Sequence, residues 1–208
     1  MRYLLAFFFI GRLCAQTAEQ LEVHMVSITN LVYQGKRSVR VDALPTAPNG
    51  QSYAVVKGSR FHNGTIEVDL AGKPTANAGP AARGFIGIAF RLQGNRYEYI
   101  YLRPTNGRAD DQVRRNHSTQ YGAQPDFDFD RLRHESPEKY ESYVDLEPGV
   151  WTKYRIVIEG TKARLYVNGA LQPCLIVNDM KLGDSEGAVA LWVGPGTEGY
   201  FANLRIAQ

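Results

Sequence analysis

The chain has 208 residues, which is enough for one domain with a sizeable core, and its 44% hydrophobic and 11% aromatic content is that of an ordinary globular protein. Its formal net charge is only +3, which gives no general electrostatic attraction to nucleic acid or to an anionic membrane surface. We therefore expect no nucleic-acid partner.

Residues 1–15, MRYLLAFFFIGRLCA, have the layout of a secretory signal peptide, with Arg2, an apolar run and small residues around Ala15. The apolar run is too short to span a bilayer, so we expect no membrane span. Cleavage after Ala15 would lower the formal charge to +1 and leave Cys174 as the one cysteine. The sequence predicts a secreted or periplasmic protein without an internal disulfide. A buried first strand is the alternative for this segment.

Beyond residue 20, apolar and polar residues alternate in short runs that are separated by turn-forming residues, a pattern typical of β-strands. Strands are predicted at residues 39–43, 53–56, 65–70, 85–92, 97–103, 141–144, 151–159, 163–167, 187–193 and 200–206. Weak helical candidates are residues 18–27 and 137–141. Many strands without strand–helix alternation predict an all-β protein, an antiparallel β-sandwich or barrel. We assign residues 16–36 to an N-terminal lead-in and residues 37–208 to the β domain.

The predicted hairpin GFIGIAFRL–YEYIYLR has an aliphatic side, which should enter the core, and a second side rich in tyrosine and small residues. This second side carries Gly87, Ala89, Arg91, Tyr97, Tyr99, Tyr101 and Arg103. Small residues beside a row of outward-facing tyrosines would leave a trough that suits a flat ligand.

Several blocks of the sequence follow an order known from one fold: FHNGTIEVDL, the GFIGIAFR–YEYIYLR hairpin, PGVWTKYRIVIEGTKARLYVNG and GAVALWVGPGTEGYFANLRI. Together they resemble the concanavalin A-like lectin/glucanase jelly roll, and more narrowly its laminin-G-like and 3-keto-disaccharide hydrolase branches in secreted bacterial proteins. The resemblance covers residues 37–208, and its motifs are specific for the fold rather than for a reaction. It implies a carbohydrate or glycoside as partner and leaves a calcium ion as a candidate cofactor.

Two residues are candidates for acid or base catalysis. Glu98 lies where the 3-keto-disaccharide hydrolases that the chain resembles have a strand Glu, although alternation places it on the core side. His117 is the group that should titrate nearest to neutrality. The pair Glu67 and Asp69 lacks the third acid of the glucanase pattern, which disfavours the glucanase mechanism.

The connector of residues 103–121 is dense in Arg, Asp, Asn, His and Gln side chains, which can hydrogen-bond the hydroxyl groups of a sugar. Connectors of this length are more often functional than idle. The residues predicted to bind the ligand are Arg91, Tyr97, Tyr99, Tyr101, Arg103, Arg114, Asn116 and Gln120. The leading hypothesis is carbohydrate binding on the concave sheet. A glycoside hydrolase of the 3-keto type and a laminin-G-like adhesive module are the alternatives, and the oligomeric state is left open.

Overall fold

The computed structural model describes residues 17–48 and 50–208, which form a sandwich of two seven-stranded sheets. The predicted signal peptide, residues 1–15, lies outside the described residues, so its cleavage and the export of the protein stay predictions.

The strands are numbered in chain order, and neighbouring strands pair antiparallel in both sheets. The first sheet has the order β1 (Leu21–His24), β4 (Tyr53–Val56), β13 (Ala188–Val193), β6 (Ile86–Gln93), β7 (Arg96–Leu102), β8 (Thr119–Gln124) and β9 (Glu141–Ser142). The second has the order β12 (Leu175–Val177), β11 (Lys162–Val167), β10 (Thr152–Glu159), β5 (Gly64–Pro74), β14 (Thr197–Ala207), β3 (Lys36–Ala43) and β2 (Val26–Tyr33). Two short helices, α1 (Gln112–Asn116) and α2 (Phe129–Glu135), lie in the connections of the first sheet.

Every predicted strand is present with small shifts at its ends, and the predicted antiparallel β-sandwich is confirmed. The strands β1, β2, β8 and β12 were not predicted. The weak helical predictions are wrong, because residues 18–20 form a single 3-10 turn before β1, and residues 137–141 contain no helix. Residues 16–36, taken as a lead-in, contribute an edge strand to each sheet.

The main core lies between the two sheets and is built from the aliphatic side of each strand. Ile88 and Ile100 are opposite each other in the β6–β7 hairpin, and both are fully buried. Ile66 and Ile156 supply the same kind of side chain from the second sheet. Full burial of one such side chain contributes about 1.5–3 kcal/mol to the stability of the folded state. The alternation that brings these side chains into the core therefore strongly favours this fold.

Arg91 departs from the alternation on which its predicted contact with a ligand depended. An irregularity in the β6–β7 pairing follows Phe90, and Arg91 has a φ of 54°. Its buried guanidinium donates hydrogen bonds of 2.8–3.2 Å to His62 O, Asn63 Oδ1, Gly160 O, Gly183 O and Asp184 Oδ1. Arg91 therefore anchors three loops, and its predicted role as a ligand-binding residue is corrected to a structural one.

We expect Arg91→Met to lower the free energy of unfolding by about 3 kcal/mol, because several buried oxygens would lose their donor. Urea denaturation at pH 7 measures this change. The matched control is Arg96→Met, since Arg96 is exposed and makes one bond of 3.3 Å, to Leu182 O. Its expected effect is below about 0.5 kcal/mol. If Arg91→Met and Arg96→Met lower the free energy of unfolding equally, Arg91 is not an anchor.

Candidate functional site

The outer face of the first sheet, which points away from the second sheet, carries its own buried cluster of aromatic and small side chains. Its members are Tyr53, Ala89, Tyr97, Tyr99, Tyr101, Ala190 and Trp192, and we call it the aromatic cluster. Ile100 and Leu102 belong instead to the core between the sheets. The tyrosines thus lie on the face where the alternation predicts them.

The tyrosine rings pack against each other and against Trp192, and the exposed fractions of Tyr97, Tyr99 and Tyr101 are 0%, 3% and 3%. The ring centroids of Tyr99 and Tyr101 are 5.5 Å apart, and Trp192 lies 5.0 and 4.8 Å from them. The Gly50 carbonyl oxygen, between β3 and β4, accepts hydrogen bonds from Tyr97 Oη and from Trp192 Nε1. In this structure the three rings have no free face for a sugar, which corrects the prediction that they stack on one.

A pocket of about 450 Å³ opens next to Tyr101, where the aromatic cluster ends. The segment before β6, the connector from β7 to β8 and helix α2 all contribute to its lining. We call it the arginine pocket, because its charged and aromatic lining residues are Arg83, Phe85, Arg103, Asp111, Arg114, His117, Phe129 and Arg133. It is therefore a cationic pocket with two aromatic walls.

The buried carboxylate of Glu141, in β9, fixes two of these arginines. Its Oε1 accepts hydrogen bonds from Arg103 Nη1 at 2.8 Å and from Arg133 Nη2 at 2.5 Å, and its Oε2 accepts one from Arg133 Nε at 2.9 Å. Burial raises the pKa of the Glu141 carboxyl, but the hydrogen bonds from Arg133 and Arg103 outweigh burial, and the pKa lies below its usual value. Glu141 is consequently ionised at neutral pH, and its charge-assisted bonds hold both guanidinium groups.

Arg103 is the most constrained cation of the pocket. Besides Glu141, its guanidinium donates to Tyr101 Oη at 2.9 Å and to Gln120 Oε1 at 3.1 Å. It also lies 5.5 Å from the ring centroid of Phe129, within the range of a cation–π contact. Arg103, the first residue after β7, thus joins the aromatic cluster to the arginine pocket.

Arg83 and Arg114 line the same pocket in a different electrostatic situation. Arg83 donates to two backbone carbonyl oxygens of its own loop, and Arg114 donates to Asn106 Oδ1 at 2.9 Å and to both oxygens of Thr105. Among the residues that the structure describes, neither guanidinium has a carboxylate partner. Burial, and then the charges of Arg114 and Arg103, lower the pKa of Arg83. Positive charge is therefore in local excess.

His117, which caps the C-terminal end of α1, joins the arginine pocket to a smaller cavity of about 240 Å³ that Asn116 also lines. Its Nε2 is 3.5 Å from Oε2 of Glu141. Burial lowers the pKa of His117, and the attraction of Glu141 offsets this only in part, so the imidazole is neutral at pH 7. The structure therefore brings together four of the predicted site residues, namely Arg103, Arg114, Asn116 and His117.

Glu98 and Gln120 are buried and are not available to a ligand in this structure. Glu98 is 0% exposed on the core side of β7, where its Oε1 accepts hydrogen bonds from Tyr121 Oη at 3.0 Å and Leu182 N at 2.9 Å. Gln120 is also 0% exposed, and its amide accepts from Arg103 and donates to Tyr121 O. The predictions of catalysis by Glu98 and of ligand binding by Gln120 are corrected to structural roles.

Sequence reasoning missed Arg83, Phe85, Phe129, Arg133 and Glu141. These residues lie outside the 103–121 connector, in the segment before β6, in α2 and in β9, and the fold brings them to one place. The cationic run of α2, RLRH, was the one local signal that could have drawn attention to Arg133.

The calcium ion, which the resemblance leaves as a candidate cofactor, stays a prediction. Across residues 17–48 and 50–208, no three His, Cys, Asp or Glu side chains are grouped so that they could hold a metal ion. Within the same residues, no helix has the length and apolar character needed to cross a membrane.

No protein-family model matches the chain, and no curated protein matches it in sequence. Solved structures do match it. The carbohydrate-binding module CBM66 of Bacillus subtilis is similar at a TM-score of 0.60 with 12% identity, over 89% of this chain and 93% of that one. A protein of unknown function with a galectin-like fold, also from Bacillus subtilis, is similar at a TM-score of 0.56 with 9% identity, over 89% and 88%. An alginate lyase of polysaccharide lyase family 7 is similar at a TM-score of 0.50 with 12% identity, over 92% and 83%.

At these identities the likeness concerns the fold. Two antiparallel seven-stranded sheets together with these neighbours show that the chain adopts the concanavalin A-like jelly roll, as the sequence resemblance implied. The narrower laminin-G-like and 3-keto-disaccharide hydrolase branches are not distinguished by these matches.

We expect Glu141→Gln to lower the free energy of unfolding by about 3 kcal/mol at pH 7, because the buried Arg103 and the partly exposed Arg133 would lose their counter-charge. The Glu141 pKa is lower in the folded state than its usual 4.5, so its contribution to stability is complete above that value. It is lost as the pH falls through the folded-state pKa. The difference between the two proteins should therefore shrink below about pH 4.5.

Urea denaturation at pH 7, 5, 4 and 3 checks this prediction. Glu135→Gln is the matched control, since it breaks the exposed Glu135–Arg131 pair within α2 and should cost less than about 0.5 kcal/mol. A Glu141→Gln deficit that stays constant with pH would show that the carboxylate charge is not what stabilises this region.

Proposed function

We propose that this protein is an exported carbohydrate-binding jelly roll that takes its ligand in the arginine pocket, and not across the tyrosine row. The observation that carries the proposal is the pairing of half-buried aromatic walls, Phe85 and Phe129, with fixed polar groups such as Arg114. An aromatic ring can pack on the C–H face of a sugar, while guanidinium and amide groups hydrogen-bond its hydroxyls.

Two further observations support the proposal. A structural neighbour, CBM66, is by name a carbohydrate-binding module, although the shared fold does not by itself transfer its function. Residues 1–15 have the layout of a signal peptide, which suits a protein that meets glycans outside the cytoplasm.

A glycoside hydrolase of the 3-keto type is the second candidate function, and the pair of His117 and Glu141 favours it. A neutral imidazole beside an ionised carboxylate, at the edge of a pocket, is suited to act as a general base. Release of product from a 3-keto-glycoside that is abolished by His117→Gln would favour this enzyme over a binding module. Absence of turnover in the unaltered protein would eliminate it. No observation in the described residues favours the laminin-G-like adhesive alternative.

The binding proposal predicts that the protein recognises at least one saccharide on a glycan array and that Arg114→Gln weakens this binding at least about tenfold, equivalent to about 1.4 kcal/mol. The reason is that Arg114 is held against the pocket by Asn106 and Thr105 and would lose its donors to the sugar. Isothermal titration with the best array ligand measures the change.

Arg155→Gln is the matched control, because Arg155 lies on β10 of the second sheet, where it stacks on Tyr166 at 3.9 Å. Affinity should then change less than about twofold, well under 1 kcal/mol. The proposed site would be overturned if the protein binds no saccharide, or if Arg114→Gln and Arg155→Gln weaken the affinity equally.

A further inference from the structure

The charges around the arginine pocket do not balance. Four guanidinium groups line it. The carboxylates near them are Glu141, which Arg103 and Arg133 share, Asp111, whose Oδ1 caps α1 by accepting a hydrogen bond from Arg114 N at 2.7 Å, and Asp130, whose charge acts on Arg133. Because the whole chain carries only +3, this excess of positive charge is a local property of the pocket.

Several N–H groups of the pocket donate no hydrogen bond to any residue that the structure describes. In Arg83 they are on Nε and Nη2, because its two bonds leave from Nη1. In Arg114 and Arg133 they are on Nη1, because the bonds of those side chains leave from Nε and Nη2. Three of the arginines that line the pocket thus keep donors without a partner among the described residues.

We infer that the arginine pocket binds a sugar that carries a carboxylate, that is, a uronate residue, with the carboxylate between Arg83 and Arg114. The Nε and Nη2 of one guanidinium form a planar edge with two parallel N–H groups, and a planar carboxylate matches this edge with its two oxygens. The carboxylate would also supply the negative charge that Arg83 and Arg114 lack. This inference deepens the proposed function and rests on it.

The aromatic walls explain why a sugar acid fits the pocket better than a small free anion. Phe85 and Phe129 are half-buried, and a pocket of about 450 Å³ has room for at least one sugar ring beside the carboxylate. The ring would pack its C–H face on an aromatic side chain, and its carboxylate would point to the guanidinium groups.

The test compares tetrasaccharides of galacturonate, mannuronate, guluronate and glucuronate with their methyl esters, which keep the sugar rings and remove the charge. Isothermal titration at about 0.1 M salt, where exposed charges are partly screened, measures the dissociation constants. We expect at least one acid to bind about tenfold or more tightly than its own ester. A sulfated tetrasaccharide tests whether any anionic sugar suffices.

Arg83→Gln should remove most of the preference for the acid, and Arg83→Lys, which keeps the charge but loses the two-pronged edge, should retain only part of it. Arg155→Gln on the second sheet serves again as the control and should leave the preference unchanged. Melting temperatures of the variants verify that each is folded, and the hydrogen bonds of Arg83 stay within its own loop, so little change is expected.

The outcomes separate the two proposals. If neutral sugars bind in the pocket and no acid is preferred, the uronate inference fails and the proposed function stands. If no saccharide binds at all, both fail. Tighter binding of the sulfated probe than of every uronate would overturn the assignment to a carboxylate, and a preference that survives both Arg83 variants would overturn its location.

Discussion

The arginine pocket depends on the hydrogen bonds that the ionised, buried carboxylate of Glu141 accepts from Arg103 and Arg133. This carboxylate ties the short edge strand β9 to the connector after β7 through Arg103 and to helix α2 through Arg133. The buried guanidinium of Arg103 would cost several kcal/mol without this counter-charge, so the carboxylate stabilises the packing of these segments. The same bonds neutralise part of the pocket, which leaves the excess charge on the two arginines without a carboxylate.

The position of the pocket follows from the way in which the sheet fills its own outer face. The sequence predicted that Gly87 and Ala89 leave space beside the tyrosine row, but Trp192 and the tyrosines themselves occupy it. A side chain at Gly122 would come within 2.7 Å of the Tyr99 ring, so these rings lie directly on the neighbouring strand. The predicted trough is therefore filled as a second core, and the arginine pocket lies beyond it, at the end of β7.

Alternation could predict the strands because one residue in two must enter the core between the sheets, and β5, β10 and β11 show this alternation in their burial. In β6 and β7 both faces are buried, and aliphatic side chains alternate with aromatic or small ones. Alternation could not predict β8, whose sequence TQYGAQ is buried on both sides, or β2, an edge strand with mostly exposed residues. Alternation also assigns a face but not an exposure. It placed Tyr99 on the outer side without indicating that other side chains cover it, and it could not foresee the irregularity that turns Arg91 away.

The arginine pocket is lined by connectors and by α2, whereas the strands fix only the points where these segments begin. Arg103 is held against strands by the end of β7 and by Glu141, but Arg83 and Arg114 are held by hydrogen bonds within their own loop and connector. Connectors vary more readily than the sheets that carry them, and one scaffold can therefore serve many ligands. At 9–12% identity, structural neighbours constrain the sheets and leave these segments undetermined. The ligand chemistry proposed for this chain therefore rests on the charges and donors of the pocket itself.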